Sequence, residues 1–320
     1  MAKNRRKIKE LEVMVAETID EAHDTVTLLL FTGNDTLDYQ AGHFLTISPH
    51  QFEALERWVD YLEDLKGKKE PPRAYSLSSS PDEKYIAITV KEERYIKGST
   101  PYPPLLSPIL AKRTSIGTKM IVTGFTGPFT LKEEDRLSHD HAVHICAGSG
   151  VVPCYSIIKH DLRMNERLKH TLLFSNKHRE DIIFHREFDD LKREFPDRFD
   201  VVHTLTREES PKAFQNGIRK GRITEELIRE FVDAPEEALF FVCGPDHDIW
   251  SKRAARESDE ELPPSFMSSM LGYLKDLGVT KDKITKEAVA MQQASLRTPE
   301  RYAIGTPRGA IEKAEKAKVK

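Results

Sequence analysis

The run Cys146-Ala147-Gly148-Ser149-Gly150-Val151-Val152-Pro153 is the segment of the chain best suited to chemistry with phosphates. It follows an apolar stretch and leads into a helical pattern. Its glycines let the backbone come close to a pyrophosphate, and a helix start offers free N–H groups and the positive end of a dipole. Pro153 falls in the first helical turn, where a missing N–H is harmless. A tight strand-to-helix turn with no ligand uses the same residues, so the glycines alone leave both readings open.

Two further segments carry reactive or recognising side chains. In Arg73-Ala74-Tyr75-Ser76-Leu77-Ser78-Ser79-Ser80, an arginine suited to a charge-assisted bond with phosphate stands two residues before a tyrosine. On a strand that spacing places both on one face, where the phenol ring can stack on a planar group. A strand running into a polar turn is the alternative. In Phe240-Phe241-Val242-Cys243-Gly244-Pro245, the sulfur either faces a cofactor at a strand end or is a small buried hydrophobe.

The elements that must position these segments fall into two halves. Residues 12–18, 25–31, 44–48, 74–78, 85–90 and 119–124 read as short strands with turn signals, such as Gly33-Asn34-Asp35, between them, which favours a small antiparallel barrel. Phe52, Leu55, Trp58, Val59, Leu62 and Leu65 recur at helical spacing and predict an amphipathic helical insert over 51–66. From about residue 141 the rhythm changes. Strands at 142–147, 171–175, 200–205 and 238–243 alternate with helical patterns at 152–165, 184–194 and 224–230, and a further helix is expected at 265–277. That alternation predicts a Rossmann-like, doubly wound parallel α/β sheet. The expected domains are 1–136, 137–291 and a polar tail at 292–320, with the boundary in the charged stretch 133–140.

Length and composition bound the function. A chain of 320 residues suits two domains. With 38% hydrophobic and 32% charged residues it reads as globular, and a net charge of -3 gives no field that would point to nucleic acid. Three cysteines, 146, 154 and 243, are too few for a disulfide framework or a four-thiolate iron–sulfur cluster, and no metal site is expected. No secretory h-region follows the basic N-terminus and no apolar run is long enough to span a bilayer, so a cytoplasmic location is expected.

Taken together and in this order, Arg-x-Tyr-Ser, Gly-x-Gly-x-x-Pro and Cys-Gly-Pro make the chain resemble the ferredoxin–NADP reductase superfamily, from about Lys7 to Glu287. The resemblance implies an FAD-binding antiparallel β-barrel followed by an NAD(P)-binding domain. It implies that Tyr75 packs on the isoalloxazine, that Arg73 meets the FAD pyrophosphate, and that the Ser76 hydroxyl lies where hydride arrives. Thr89, Val90 and Lys91 then line the flavin through their backbone, and Leu106 with Ser107 opens a short helix at the pyrophosphate. The family's glycine three residues before that serine is Pro104 here, and the loop Arg94–Pro103 is longer, which puts the Ser107 role in doubt. Residues 119–124 and Gly127-Pro128-Phe129 match the barrel's end. In the second domain the resemblance assigns the dinucleotide to Gly148, Ser149, Gly150 and Pro153, to Ser175 and Asn176, to Thr206 and Arg207, to Arg222, and to Cys243, Gly244 and Pro245.

The implied activity is hydride transfer between NADPH or NADH and FAD, with Ser76 and Cys243 beside the reacting rings, and delivery of single electrons to a separate ferredoxin, flavodoxin or other iron–sulfur protein. The alternatives are the reductase component of a multicomponent oxygenase, or a flavin-binding subunit of a larger redox complex. No acidic residue stands at Ser175-Asn176, and Arg207 and Arg222 are cations, with Lys177 and Arg179 nearby, which favours NADPH over NADH. Relatives commonly cover the flavin with an aromatic residue at their end. This chain has Glu287-Ala288-Val289 at the comparable place, and Tyr302 in the tail is the candidate cover against a bland basic tail.

Overall fold

A computed structural model describes residues 10–33, 37–95, 102–165, 167–215, 217–247 and 249–291. The expected cover Tyr302, the tail 292–320, part of the turn at 33–35 and most of the loop 94–103 lie outside the described residues.

The first half is an antiparallel barrel. Its strands are β1 (Leu11–Ala22), β2 (Thr25–Phe31), β3 (Phe44–Ile47), β4 (Arg73–Ser76), β5 (Ile86–Lys91) and β6 (Lys119–Thr126). They lie in the order β4-β3-β6-β1-β2-β5. The two edges then meet: Leu77 bridges Ile88, and the Ser78 N–H donates to the Ala87 carbonyl at 2.9 Å or less, namely 2.8 Å. Closure removes the unpaired edges that an open sheet would leave. Alternation fills the interior with Val13, Val15, Leu28, Leu30, Leu45, Ile88 and Val90, all at most 1% exposed. The residues between them, Thr27 and Thr89 among them, point outward.

The expected helical insert divides into two short 3-10 turns and the helix α1 (Glu56–Lys66), which ends at Gly67 in a left-handed conformation (φ 65°). Val59 and Leu62 are buried as the spacing requires, but Leu65 is 53% exposed. The helix stops one residue later, so its last turn extends past the barrel surface it covers. A second short helix, α2 (Ser107–Lys112), precedes β6.

The stretch 133–140, expected as a boundary without structure, contains the one-turn-and-a-half helix α3 (Glu133–Ser138). Its acidic first turn suits a helix start even though no apolar stripe announces it. The second half then runs β7 (His141–Ala147), α4 (Val151–Met164), β8 (Lys169–Asn176), α5 (His185–Glu194), β9 (Phe199–Leu205), β10 (Arg219–Lys220), α6 (Glu225–Phe231), β11 (Leu239–His247), α7 (Ile249–Ser258), α8 (Phe266–Asp276) and β12 (Ile284–Met291). Thr224 and Ser265 cap α6 and α8 with their hydroxyls. The strand order β10-β9-β8-β7-β11-β12 reverses direction at β7, and the ladders are parallel. This is the two-domain architecture, antiparallel barrel plus doubly wound parallel sheet, expected from the sequence. Such sheets bind ligands beyond the carboxyl ends of the strands where the order reverses, here β7 and β11.

Helix α4 holds the halves together. The Ser156 hydroxyl donates to the Ser79 carbonyl at 2.6 Å, Lys159 bonds both Glu83 carboxylate oxygens at 2.8 Å, and His160 meets Asp82 at 2.8 Å. All three partners sit in the loop between β4 and β5, so the nucleotide sheet is oriented directly on the strands that carry Arg73 and Thr89.

Candidate active site

At the switch point, Gly148–Gly150 forms a 3-10 turn between β7 and α4. Gly148 has φ 54°, a left-handed conformation that suits glycine, and the space around it is open. Gly150 is required for a different reason. A Cβ there would stand 2.3 Å from the Cys243 carbonyl oxygen, so the turn can lie against β11 only if the side chain is absent. Gly244 is constrained in the same way, since a Cβ would meet the Phe266 ring at 2.5 Å. The segments 148–150 and 243–245, assigned separately in the sequence, are therefore in backbone contact. Pro153 sits in the first turn of α4, as its missing donor allows.

Cys243 is buried, and burial lifts its thiol well above the ordinary range, with Cys146 and Glu287 adding to the effect. A neutral thiol offers contact and polarizability without nucleophilic chemistry. The three cysteines, far apart in the chain, converge here. Cys146 and Cys243 are register partners on β7 and β11, and the Cys146 sulfur lies 3.1 Å from that of Cys154. Glu287, on β12, is the register partner of Cys243, and burial raises its carboxyl. Glu287 was missed as a site residue. The signal that points to it is its position at 287–289, where relatives place a flavin-covering aromatic.

The edge formed by the ends of β8 and β9 collects the remaining dinucleotide candidates. Thr206 donates its N–H and its hydroxyl to the Asn176 carbonyl, the Arg207 N–H donates to the Lys177 carbonyl at 2.9 Å, and the Gly221 N–H donates to the Leu205 carbonyl at 2.9 Å. These bonds bring 176–177, 205–207 and 221–222 together. The side-chain amide of Asn176 is buried without any partner, as is the Thr204 hydroxyl. Buried polar atoms are nearly always satisfied, so such a pair marks a place where a polar ligand belongs. Ser175 is buried between Ala147 and Thr204 in the ladder. Lys177, Arg179, Arg207 and Arg222 make no ion pair among the described residues.

On the barrel, β4 presents Arg73 and Tyr75. Tyr75 is half-buried and its phenol is pushed up by burial. Arg73 does not wait unpaired. Its guanidinium donates to Glu70 at 2.7 Å and to the Pro71 carbonyl at 2.6 Å, while Glu70 is also held by Lys66. Burial acts to raise Glu70, and the two cations outweigh it, leaving the carboxyl below its usual range. Close by, Glu93 is raised by burial against the pull of Arg73 and Ser107. The Ser107 hydroxyl accepts the Glu93 N–H at 3.1 Å and makes no cap to its own helix. Arg73, Tyr75, Glu93 and Ser107 therefore share one corner. Ser76 is half-buried, and its hydroxyl has no partner among the described residues. Leu106 and Val90 turn their side chains into the barrel core, which leaves only their backbone for a ligand. Lys91 is engaged by Asp24 at 3.0 Å, and Thr89 bonds Thr27 at 2.7 Å.

The two corners adjoin, because β5 runs beside both β4 and the turn Gly148–Gly150. The fit to two dinucleotides is thus carried by a glycine cradle, a half-buried aromatic beside an arginine, and orphaned polar atoms at the strand ends. Among the described residues no group of His, Cys, Asp or Glu side chains is arranged to hold a metal, and no helix is long and apolar enough to cross a membrane.

Comparison with known proteins agrees with this geometry. Residues 144–247 match the family model of the oxidoreductase NAD-binding domain. NADH-cytochrome b5 reductase 2 of Emericella nidulans is 32% identical over 165 residues, which is 51% of this chain and 48% of the relative. The chain thus spans about half the length of the curated relatives it matches. Among solved structures, the cytochrome b5 reductase domain of Ulva prolifera nitrate reductase aligns with a TM-score of 0.67 at 19% identity, covering 90% of this chain and 100% of that one. The ferredoxin-NADP+ reductase of Plasmodium falciparum aligns with a TM-score of 0.59 at 16% identity, covering 88% and 96%.

Proposed function

We propose, for a chain that has the fold of the ferredoxin–NADP reductase superfamily and carries an oxidoreductase NAD-binding domain, that it is a flavoprotein moving electrons from a reduced nicotinamide dinucleotide through FAD to a separate one-electron carrier. In this reading 1–136 is the FAD half and 137–291 the NAD(P) half. The observation that carries it is the contact of the Gly148–Gly150 turn with Cys243 on one side and β5 on the other. That contact places the Gly148–Gly150 turn next to β5, which itself runs beside the Arg73–Ser76 strand.

FAD supplies the conversion of a hydride into single electrons. The chain's own residues bind and orient. Tyr75 offers a ring face for stacking, worth about 0.5–1.5 kcal/mol beyond area burial. Arg73, aimed by Glu70 and Pro71, offers its remaining N–H donors to a pyrophosphate, and the free Ser76 hydroxyl is available to the reacting edge. Gly148 and Gly150 admit the second pyrophosphate. Cys243, kept neutral by burial, would support the nicotinamide ring from the strand beneath and so hold it for a near-attack geometry.

Two finer points belong to the same reading. The unpaired Lys177, Arg179, Arg207 and Arg222, with no carboxylate at 175–176, favour a 2′-phosphate and hence NADPH, although the curated relative is named for NADH. That relative is also named for cytochrome b5, and a haem carrier of that kind replaces ferredoxin or flavodoxin as the favoured acceptor. Purified protein should be yellow, release FAD on acid extraction, and reduce ferricyanide and cytochrome b5 with NAD(P)H. A protein that takes up no FAD overturns the reading. Equal kcat/KM for NADPH and NADH, unchanged by Arg207→Ala, overturns the preference alone.

A further inference from the structure

We propose that Thr89, Thr27 and Glu21 form a proton exit from the cleft, with Glu21 handing the proton to solvent; this rests on the flavin reading above. Thr27 and Thr89 are register partners on β2 and β5, both nearly buried, with hydroxyl oxygens 2.7 Å apart. The Thr27 hydroxyl donates to the Glu21 carboxylate at 2.6 Å. Their neighbours Val26, Leu28, Ile88 and Val90 fill the barrel, so the three side chains lie on its outer face. That face is covered by the nucleotide domain, and β5 there runs beside Gly148–Gly150. Glu21 itself is only half-buried, so the chain of bonds leads from a dry interior to water.

The direction of the bonds matters. An ionised carboxylate only accepts, so Thr27 gives its proton to Glu21 and Thr89 gives its own to Thr27. The Thr89 oxygen is left as an acceptor. The proton balance of the proposed reaction calls for one. NAD(P)H plus two oxidised one-electron carriers gives NAD(P)+, two reduced carriers and one proton. The carriers take two electrons and no proton, so one proton is left in the cleft at each turnover. Thr89 accepts it, the two hydroxyl protons move one place along, and Glu21 becomes the neutral acid that releases it.

The surroundings of Glu21 suit that task. Burial raises its carboxyl, the Thr27 hydroxyl lowers it, Glu187 on α5 raises it and the Phe184 N–H lowers it, and the net shift is upward, towards a working pH. The Tyr155 phenol on α4 also feels Glu21, while nearby Asp24 is paired with Lys91 and Asp181 lies 3.6 Å from His23. Phe184 holds its N–H there with φ 58°, a left-handed conformation rare for a bulky residue.

The test uses the FAD-loaded protein and its Glu21→Gln and Thr89→Val variants. Stopped flow separates reduction by NAD(P)H from reoxidation by ferricyanide, which takes single electrons and no proton. For Glu21→Gln, reduction should stay near wild type, while reoxidation slows on the order of tenfold to a hundredfold, with an enlarged solvent isotope effect. The midpoint potential of the bound flavin, followed against pH, should lose an inflection present in wild type. Glu21→Asp should restore part of it. Thr89→Val should reproduce the reoxidation defect. Unchanged reoxidation and superimposable potential curves overturn the relay alone. Wild-type protein that binds no flavin overturns the redox reading and the relay with it.

Discussion

Gly150 faces the carbonyl oxygen of Cys243 so closely that a Cβ would stand 2.3 Å from it. One missing side chain therefore sets the distance between the Gly148–Gly150 turn and strand β11. Gly150→Ala should push the turn away from β11, with a stability cost of about 1–3 kcal/mol from overpacking. Retention on an immobilised nucleotide column should fall sharply. Gly148→Asn, in open space and at a φ that asparagine tolerates, should retain the column binding that Gly150→Ala loses. Equal retention by both variants would remove the steric argument.

The pairing of Arg73 with Glu70 makes a second prediction. Arg73→Ala deletes a phosphate partner and leaves Glu70 with Lys66 alone, so FAD retention should drop by about 2–5 kcal/mol. Glu70→Gln keeps the guanidinium but loosens its aim and should cost less. Lys91→Ala, which breaks only a bond to Asp24, should cost least. Fluorescence of released FAD during dilution reads the order directly, and a greater loss for Lys91→Ala than for Arg73→Ala would refute it.

Cys243→Ala should slow flavin reduction more than it weakens dinucleotide binding. A neutral buried thiol acts through ring placement, which counts most at the near-attack geometry. Rapid-mixing traces at saturating dinucleotide isolate this step. An unaltered limiting rate would return Cys243 to simple packing.

His203 gives a pH-dependent prediction. Burial, with help from His185 and Arg179, holds its ring down to about 3, and neither ring nitrogen has a partner. The unfolded chain takes up that proton below about pH 6.5 and the folded chain does not. Stability is therefore fully present above that pH and is lost progressively as pH falls towards 3. His141, lowered to about 4 chiefly by burial, acts in the same direction. Asp161 acts in a lower window. Burial raises it, but His170 and Arg136 outweigh this and hold it below its usual range, so its contribution fades only below about pH 4. His203→Leu should flatten the slope between neutral and mildly acid pH. It should also remove an unsatisfied-group penalty of about 1–3 kcal/mol. Urea midpoints across that range would show it, and an unchanged slope would count against it.

Much of the framework was legible because it rests on local periodicity. The β-branched, apolar run at 25–31 and the apolar run at 142–147 bounded β2 and β7 within a residue, and the helical patterns at 224–230 and 265–277 matched α6 and α8 within a residue. Helix α3 and strand β12 were not legible as elements. The first is mostly charged, and the second is an edge strand that mixes charged, polar and small apolar residues without a clear alternation.

The sequence by itself determined the order of the chemical segments, and with it the fold: Arg73–Ser76 on β4, then Gly148–Gly150 after β7, then Cys243 on β11. These are properties of neighbouring residues, and neighbouring residues are what patterns record. Only the tertiary structure decided what those residues meet. Three cysteines that looked scattered share one core. Arg73 is already aimed by Glu70. Glu287 comes beside Cys243, and Glu21 reaches Thr89 through Thr27. The contacts of Glu287 with Cys243 and of Thr27 with Thr89 arise from long-range pairing, where a shift of one residue would turn every side chain to the other face, whereas Arg73 meets Glu70 through the local bend before β4.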